Sequence, residues 1–200
     1  MNTSPWNKDR IIAQKRPLQI SHIWEIRIRL ELEGKTRDLA LFNMAQDSKL
    51  RGCDLVKLKV SNVAYGSSVS SRETVLQQKT GNLVQFEITK GTREAVAALI
   101  KLGNLHSKDF LFRSRVGTNR HISTQQYSRI FHGWVEKLGL EASLYSTQSM
   151  RRTKPYLIYK KTKNLRIIQL LLGHKKLEST IRYLGIEVDD ALETSESIEV

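Results

Sequence analysis

Three stretches of the chain carry residue types suited to handling a phosphate. Lys79 sits immediately before the turn Thr80-Gly81-Asn82 in QQKTGNLVQFEI. A lysine on a hairpin tip can reach a phosphate or a nucleic-acid groove, although most turn lysines are simply solvated. Met150-Arg151-Arg152-Thr153 stands at the head of an expected helix. An arginine there offers a bidentate fork to a phosphate, and the free amides of the helix start add to the attraction. The commoner fate of such an arginine is a solvated helix face. The third stretch is LLLGHKKLESTIRYL, in which Gly173 permits a tight turn, His174 follows it, and Tyr183 comes nine residues after the histidine. A tyrosine hydroxyl, with an ordinary pKa of about 10, is a poor nucleophile unless neighbouring cations and a polarised phosphate assist it. Taken singly, a tyrosine in this setting is more often a core residue with a satisfied hydroxyl.

The charge of the chain agrees with a phosphate-bearing partner. The net charge is +13, with 33 Lys and Arg against 20 Asp and Glu. Six of those acids (Glu187, Asp189, Asp190, Glu193, Glu196 and Glu199) fall in the last fourteen residues, so the rest of the chain sets 33 basic residues against 14 acidic ones. A body this basic repels itself unless it meets a polyanion, and nucleic acid is the leading partner. The one cysteine, Cys53, excludes an internal disulfide and a cysteine-rich zinc site, and beside Leu55 and Val56 it reads as a buried small hydrophobe. No apolar run approaches the roughly 18 residues of a membrane span, and the amino terminus lacks the apolar centre of a signal peptide. A cytoplasmic protein is expected.

These groups need a frame, and hydrophobic periodicity outlines one. Residues 1–17 are polar and basic and read as a flexible arm. Helices are predicted over 19–33, closed by Gly34, and over 36–46. A third short helix is expected to start at Asp47 or Ser48, either of which can cap it, and to run through LRGCDLVKL. Between 58 and 88 the pattern changes to near alternation (Val60, Val63, Tyr65, Val75, Val84, Phe86, Ile88), with Gly81-Asn82 at a hairpin tip. Helices are predicted again at 91–102, 123–138, about 149–162, 164–172 and 177–184. The fold class is mainly α, α+β in a loose sense, with one small antiparallel sheet. The segment from Asp189 onward reads as an acidic tail.

In this order, Arg51 in DSKLRGCDLVKLKV, Lys79 in the hairpin, Arg151 in TQSMRRT, and LLGH with Tyr183 beyond it resemble the tyrosine recombinase (phage integrase) family, over about residues 20–190. The resemblance implies a helical catalytic domain of that type over 18–188, in a short member that consists of little else. It implies a site-specific recombinase or integrase that cuts and rejoins double-stranded DNA through a 3′-phosphotyrosyl bond, without metal, ATP or other cofactor. Tyr183 would be the nucleophile. Arg51 and Arg151 would clamp the non-bridging oxygens, Lys79 would protonate the leaving 5′-oxygen, and His174 would hydrogen-bond the phosphate or Tyr183. Arg152, Lys154 and Lys175 would touch the DNA. Self-association as a tetramer on DNA, accessory DNA-bending proteins, a nucleoid-associated bacterial or phage-derived setting, and docking of the acidic tail on a neighbouring protomer are also implied.

Two positions depart from the family pattern. Gln148 stands where a histidine is usual, three residues before Arg151; its amide can donate a hydrogen bond but cannot take up a proton near neutral pH. Pro155 either lies inside the helix, where its ring presses on the carbonyl of Arg151, or falls in a first turn capped by Thr153, where it is harmless. Both positions keep open an alternative, a catalytically impaired DNA-binding remnant of the family.

Overall fold

The computed structural model describes residues 14–66, 68–117, 120–185 and 196, so the first thirteen residues and nearly all of the acidic tail lie outside the described residues. Helix α1 spans Ile20–Leu32 and α2 spans Thr36–Ser48. Every residue of α2 from Ala40 to Ser48 is buried. A helix covered all round is a core element, and α2 packs against α1, α4 (Lys90–Leu102) and α6 (Thr147–Thr162).

The expected third helix starts later than Asp47 or Ser48, because both still belong to α2. Asp47 caps a different helix instead. Its Oδ2 accepts from the Thr89 amide at 2.8 Å, the Thr89 hydroxyl at 2.7 Å and the Thr92 hydroxyl at 2.7 Å, across the start of α4. What remains of the third helix is α3, Gly52–Leu55, with Arg51 at its N-cap.

The alternating segment forms two small sheets rather than one. Strand β1 (Ala64–Tyr65) pairs with β2 (Ser68–Val69), and β3 (Arg72–Leu76) pairs with β4 (Leu83–Glu87), both antiparallel. In β4 the period of two holds, with Val84 and Phe86 buried and Leu83 and Gln85 facing out. The remaining helices are α5 (Thr124–Lys137), α7 (Leu165–Leu172) and α8 (Leu177–Leu184), all within two residues of their expected bounds. Polar side chains set several starts: Ser123 accepts the Gln126 amide, Asn164 accepts the Ile167 amide, and Ser146 and Ser149 form a reciprocal cap on α6.

The apolar interior is divided unequally. A large cluster joins α1, α2, α4, α5 and the inner face of β4. A small one consists of Ile168, Leu172 and Leu184, with Tyr156, Tyr159 and Tyr183 against them, and joins α6, α7 and α8. Full burial of an aliphatic side chain contributes about 1.5–3 kcal/mol, so the α7–α8 pair depends heavily on hydrogen bonds for its placement.

A partly buried ionic brace holds α6 against the large core. Lys154 Nζ lies 2.7 Å from Asp47 Oδ1 and 2.6 Å from Glu87 Oε1, while Lys49 Nζ lies 2.9 Å from Glu87 Oε2. Burial pulls the Lys154 ammonium down, but Asp47 and Glu87 overcome it and leave its pKa raised. The Lys154 charge is thus paired with two carboxylates. Among the described residues no helix is long and apolar enough to cross a membrane.

Candidate active site

The start of α3, the turn between β3 and β4, the first turn of α5, the first turns of α6, the turn between α7 and α8, and α8 itself converge on a cleft of about 400 Å³. Arg51, Lys79, Gln148, Arg151, His174 and Tyr183 all line it. Residues as far apart in the chain as 51 and 183 therefore share one cavity.

Each element delivers its side chain for a local reason. The β3–β4 turn is closed by Gly81, whose φ of +63° suits glycine; its amide donates to the Gln77 carbonyl at 2.8 Å. That turn lifts the exposed Lys79 to the cleft edge. Gln148 is exposed in the first turn of α6. Arg151 follows one turn later and is only 6% exposed. Its Nη2 donates to the Leu172 carbonyl at 3.1 Å, and its buried Nε has no partner among the described residues. Burial lowers its pKa, yet a guanidinium stays charged in a protein. Helix α6 runs unbroken from Thr147, so Pro155 is a mid-helix proline and supplies no amide to the Arg151 carbonyl.

The α7–α8 turn is set by Gly173, which ends α7 at φ +68°. Its carbonyl accepts from Asn82 Nδ2 at 3.0 Å, which ties the turn to the hairpin. His174 comes next, with Nδ1 3.1 Å from the Thr180 hydroxyl and its ring edge-on to Tyr183 at 5.5 Å. Burial, followed by the charges of Arg151 and Arg51, lowers the His174 pKa to about 4. In the tautomer whose Nδ1 accepts from Thr180, the neutral ring presents Nε2–H as a donor.

The Tyr183 hydroxyl is buried and has no hydrogen-bond partner among the described residues. The guanidinium groups of Arg151 and Arg152 lie 5.6 and 5.3 Å from its ring centre. Burial pushes the phenol pKa up, while Arg151, Arg152 and Arg51 pull it down; burial wins. The site thus holds a neutral phenol beside three cations.

Arg152 has partners of its own, and the expectation for Cys53 needs correction. Arg152 is buried, and its guanidinium donates to the carbonyls of Lys15 and Tyr183 and to the Gln14 side chain. It ties α8 to the segment before α1 and lines a cavity beside His174 and Tyr183. Cys53 is only half-buried and lines the cleft, so it is not a core hydrophobe. Lys175 is exposed beside His174. Gln77, Asn82 and Thr180 hold the site together; the hairpin signal marked Asn82 only as a turn residue, and nothing in their spacing marked Gln77 or Thr180. Among the described residues no group of three or more His, Cys, Asp or Glu is placed to hold a metal.

The depressed histidine gives a direct test. His174 is expected to titrate near pH 4 in the free protein, read from its ring protons by NMR. Its ordinary value is 6.5, so the unfolded chain takes up this proton first, and stability is lost as pH falls from about 6.5 to about 4. His174→Gln should blunt that loss. A midpoint above 6 would contradict the burial assigned to the ring.

Comparison with known proteins bears on the whole arrangement. Residues 18–188 match the model of the phage integrase family. The chain is 29% identical over 158 residues to the probable integrase/recombinase YoeC of Bacillus subtilis (strain 168), covering 79% of this chain and 82% of that protein. Among solved structures it is similar to XerA recombinase, with a TM-score of 0.75 at 18% identity, over 94% of this chain and 67% of that one. It is also similar to XerH site-specific recombinase bound to its difH substrate, with a TM-score of 0.69 at 15% identity. That likeness covers 90% of this chain but spans about half of XerH, 52%. At these identities the structural likeness speaks for the fold.

Proposed function

The chain belongs to the phage integrase family, and we propose that it is a site-specific recombinase that cuts and rejoins double-stranded DNA through a 3′-phosphotyrosyl intermediate. The observation that carries this reading is the single cleft shared by Tyr183, Arg51, Arg151, His174 and Lys79.

The chemistry follows from the placement of the groups. A scissile phosphate entering the cleft meets Arg51 and Arg151, whose forks neutralise its non-bridging oxygens. Because both cations are already in place, they stabilise the charge that builds on those oxygens in the transition state. The phosphate also offers the Tyr183 hydroxyl its missing partner, and it can accept from the His174 ring in the tautomer that carries Nε2–H. The phenol gives up its proton to a non-bridging phosphate oxygen or to solvent as its oxygen attacks phosphorus; a P–O bond to tyrosine forms and the bond to the 5′-oxygen breaks. Lys79 delivers a proton to that leaving oxygen. The phosphotyrosyl link conserves the bond energy, so a 5′-hydroxyl of another strand reverses the step and joins a new partner. Lys175, exposed beside His174, is a candidate backbone contact. Assembly of several protomers on DNA, with the acidic tail bridging neighbours, fits this chemistry because recombination exchanges strands between sites.

The test is a nicked duplex carrying the sequence that the protein selects from a random pool. Cleavage beside the nick frees a short fragment and traps the adduct. A denaturation-stable protein–DNA species is expected, and its absence on a selected, tightly bound site would overturn the reading.

Gln148 and Pro155 favour a second reading, a DNA-binding protein that keeps the fold but cleaves poorly. It predicts salt-sensitive binding without an adduct. The two readings share one further prediction. Gln148→His restores a proton-accepting group at the cleft mouth and is expected to raise the single-turnover cleavage rate by up to about 10²-fold, the lower end of what acid–base assistance supplies. An unchanged rate would show that Gln148 does not limit the chemistry.

A further inference from the structure

The two arginines that line the cleft come from segments a hundred residues apart, yet a single buried amide links them. Gln77, the last residue before the exposed turn, is 1% exposed. Its Oε1 accepts from Arg51 Nη1 at 2.6 Å and from the Thr80 hydroxyl at 2.9 Å. Its Nε2 points at the Leu172 carbonyl, 3.4 Å away, which is the oxygen that also receives Arg151 Nη2 at 3.1 Å. The chain of contacts therefore runs from Arg51 through Gln77 and the Leu172 carbonyl to Arg151. Through Thr80 it also holds the turn that carries Lys79.

We infer that Gln77 is a positioning residue for the phosphate clamp: it sets the direction of Arg51 and, through the Leu172 carbonyl, the spacing between Arg51 and Arg151. The inference rests on the phosphate-binding role proposed above for those arginines. A neutral amide suits this task. It orients the Arg51 fork by a hydrogen bond and leaves the full positive charge of Arg51 for the phosphate. A carboxylate in its place would hold Arg51 as firmly while cancelling its charge.

A double-mutant cycle separates this role from a general structural one. Four proteins are compared: the unmodified chain, Gln77→Leu, Arg51→Ala and the double variant. Each is measured for single-turnover cleavage of the nicked duplex and, in a Tyr183→Phe background, for non-covalent affinity toward the same duplex. Gln77→Leu is expected to slow cleavage by up to about 10²-fold, the scale that a misplacement of roughly 1 Å costs. In both readouts Gln77→Leu is expected to cost much less in the Arg51→Ala background than in the unmodified chain. Gln77→Glu, which keeps the acceptor and adds charge, is expected to fold normally and still lose cleavage. Additive losses in both readouts, or a Gln77→Leu protein as fast as the unmodified chain, would overturn the inference. If the unmodified chain forms no adduct while the binding cycle is non-additive, the proposed reaction fails and the positioning role stands.

Discussion

Tyr183→Phe is expected to abolish adduct formation and, at the same time, to raise the melting temperature of the protein. The two effects have one origin. The Tyr183 hydroxyl is buried with no partner among the described residues. An unsatisfied buried polar group costs about 1–3 kcal/mol. Phenylalanine removes the hydroxyl and keeps the ring, so the contacts with His174, Arg151 and Arg152 survive. A gain of about 1 kcal/mol shifts the midpoint of a protein of this size up by roughly 2–4 °C. The phenyl ring has no nucleophile, so covalent capture on the nicked duplex should fall to background while affinity for DNA persists. Thermal unfolding and the trapping assay read the two halves separately. A lower melting temperature in the variant would mean that the hydroxyl is satisfied in the free protein. A remaining adduct would move the nucleophile elsewhere.

Gly173→Ala is expected to cost about 2–5 kcal/mol of stability and most of the cleavage rate. At φ +68° an alanine pays roughly 1–2 kcal/mol for the left-handed backbone. Its Cβ would lie 2.5 Å from Val84 Cγ2, closer than carbon atoms approach, and overpacking of this kind costs about 1–3 kcal/mol. Relief requires the α7–α8 turn to move away from β4. That movement strains the bonds from Arg151 to the Leu172 carbonyl and from Asn82 to the Gly173 carbonyl, and it carries His174 with it. Urea denaturation of Gly173→Ala, Val84→Ala and their combination isolates the clash. The double variant should be more stable than the sum of the single losses predicts, since the smaller residue 84 leaves room for the new methyl group. Strict additivity would show that the turn yields without pressing on β4.

How much of this could be read in advance varies with the kind of residue. Helices α1, α2 and α4 to α8 announced themselves through apolar spacing and flanking polar or glycine residues, because those signals are local. The β3–β4 hairpin did so through its alternation and its Gly81-Asn82 tip. Asp47 misled for a physical reason. A carboxylate just before a helix usually caps that helix, but here it reaches across the interior to Thr89, Thr92 and Lys154. The partners of Lys154 and Arg152 were equally hidden, since a cation near a cleft looks alike in sequence whether or not a carboxylate or carbonyl meets it. Cys53 was judged by its apolar neighbours, whereas its side chain is set by the direction of α3.

The arrangement of Arg51, Lys79, Arg151, His174 and Tyr183 was a property of residue order, readable because a family's motif preserves type and local spacing. Whether those five groups meet was not. Their convergence depends on contacts between segments far apart in the chain: Gln77 against Arg51 and the Leu172 carbonyl, Asn82 against the Gly173 carbonyl, and the brace from Lys154 to Asp47 and Glu87. The same packing decided the ionisation of the site. A histidine held near pH 4 and a phenol pushed up by burial are consequences of the neighbours that folding supplies and of the water it removes, and neither is written in the spacing of residues along the chain.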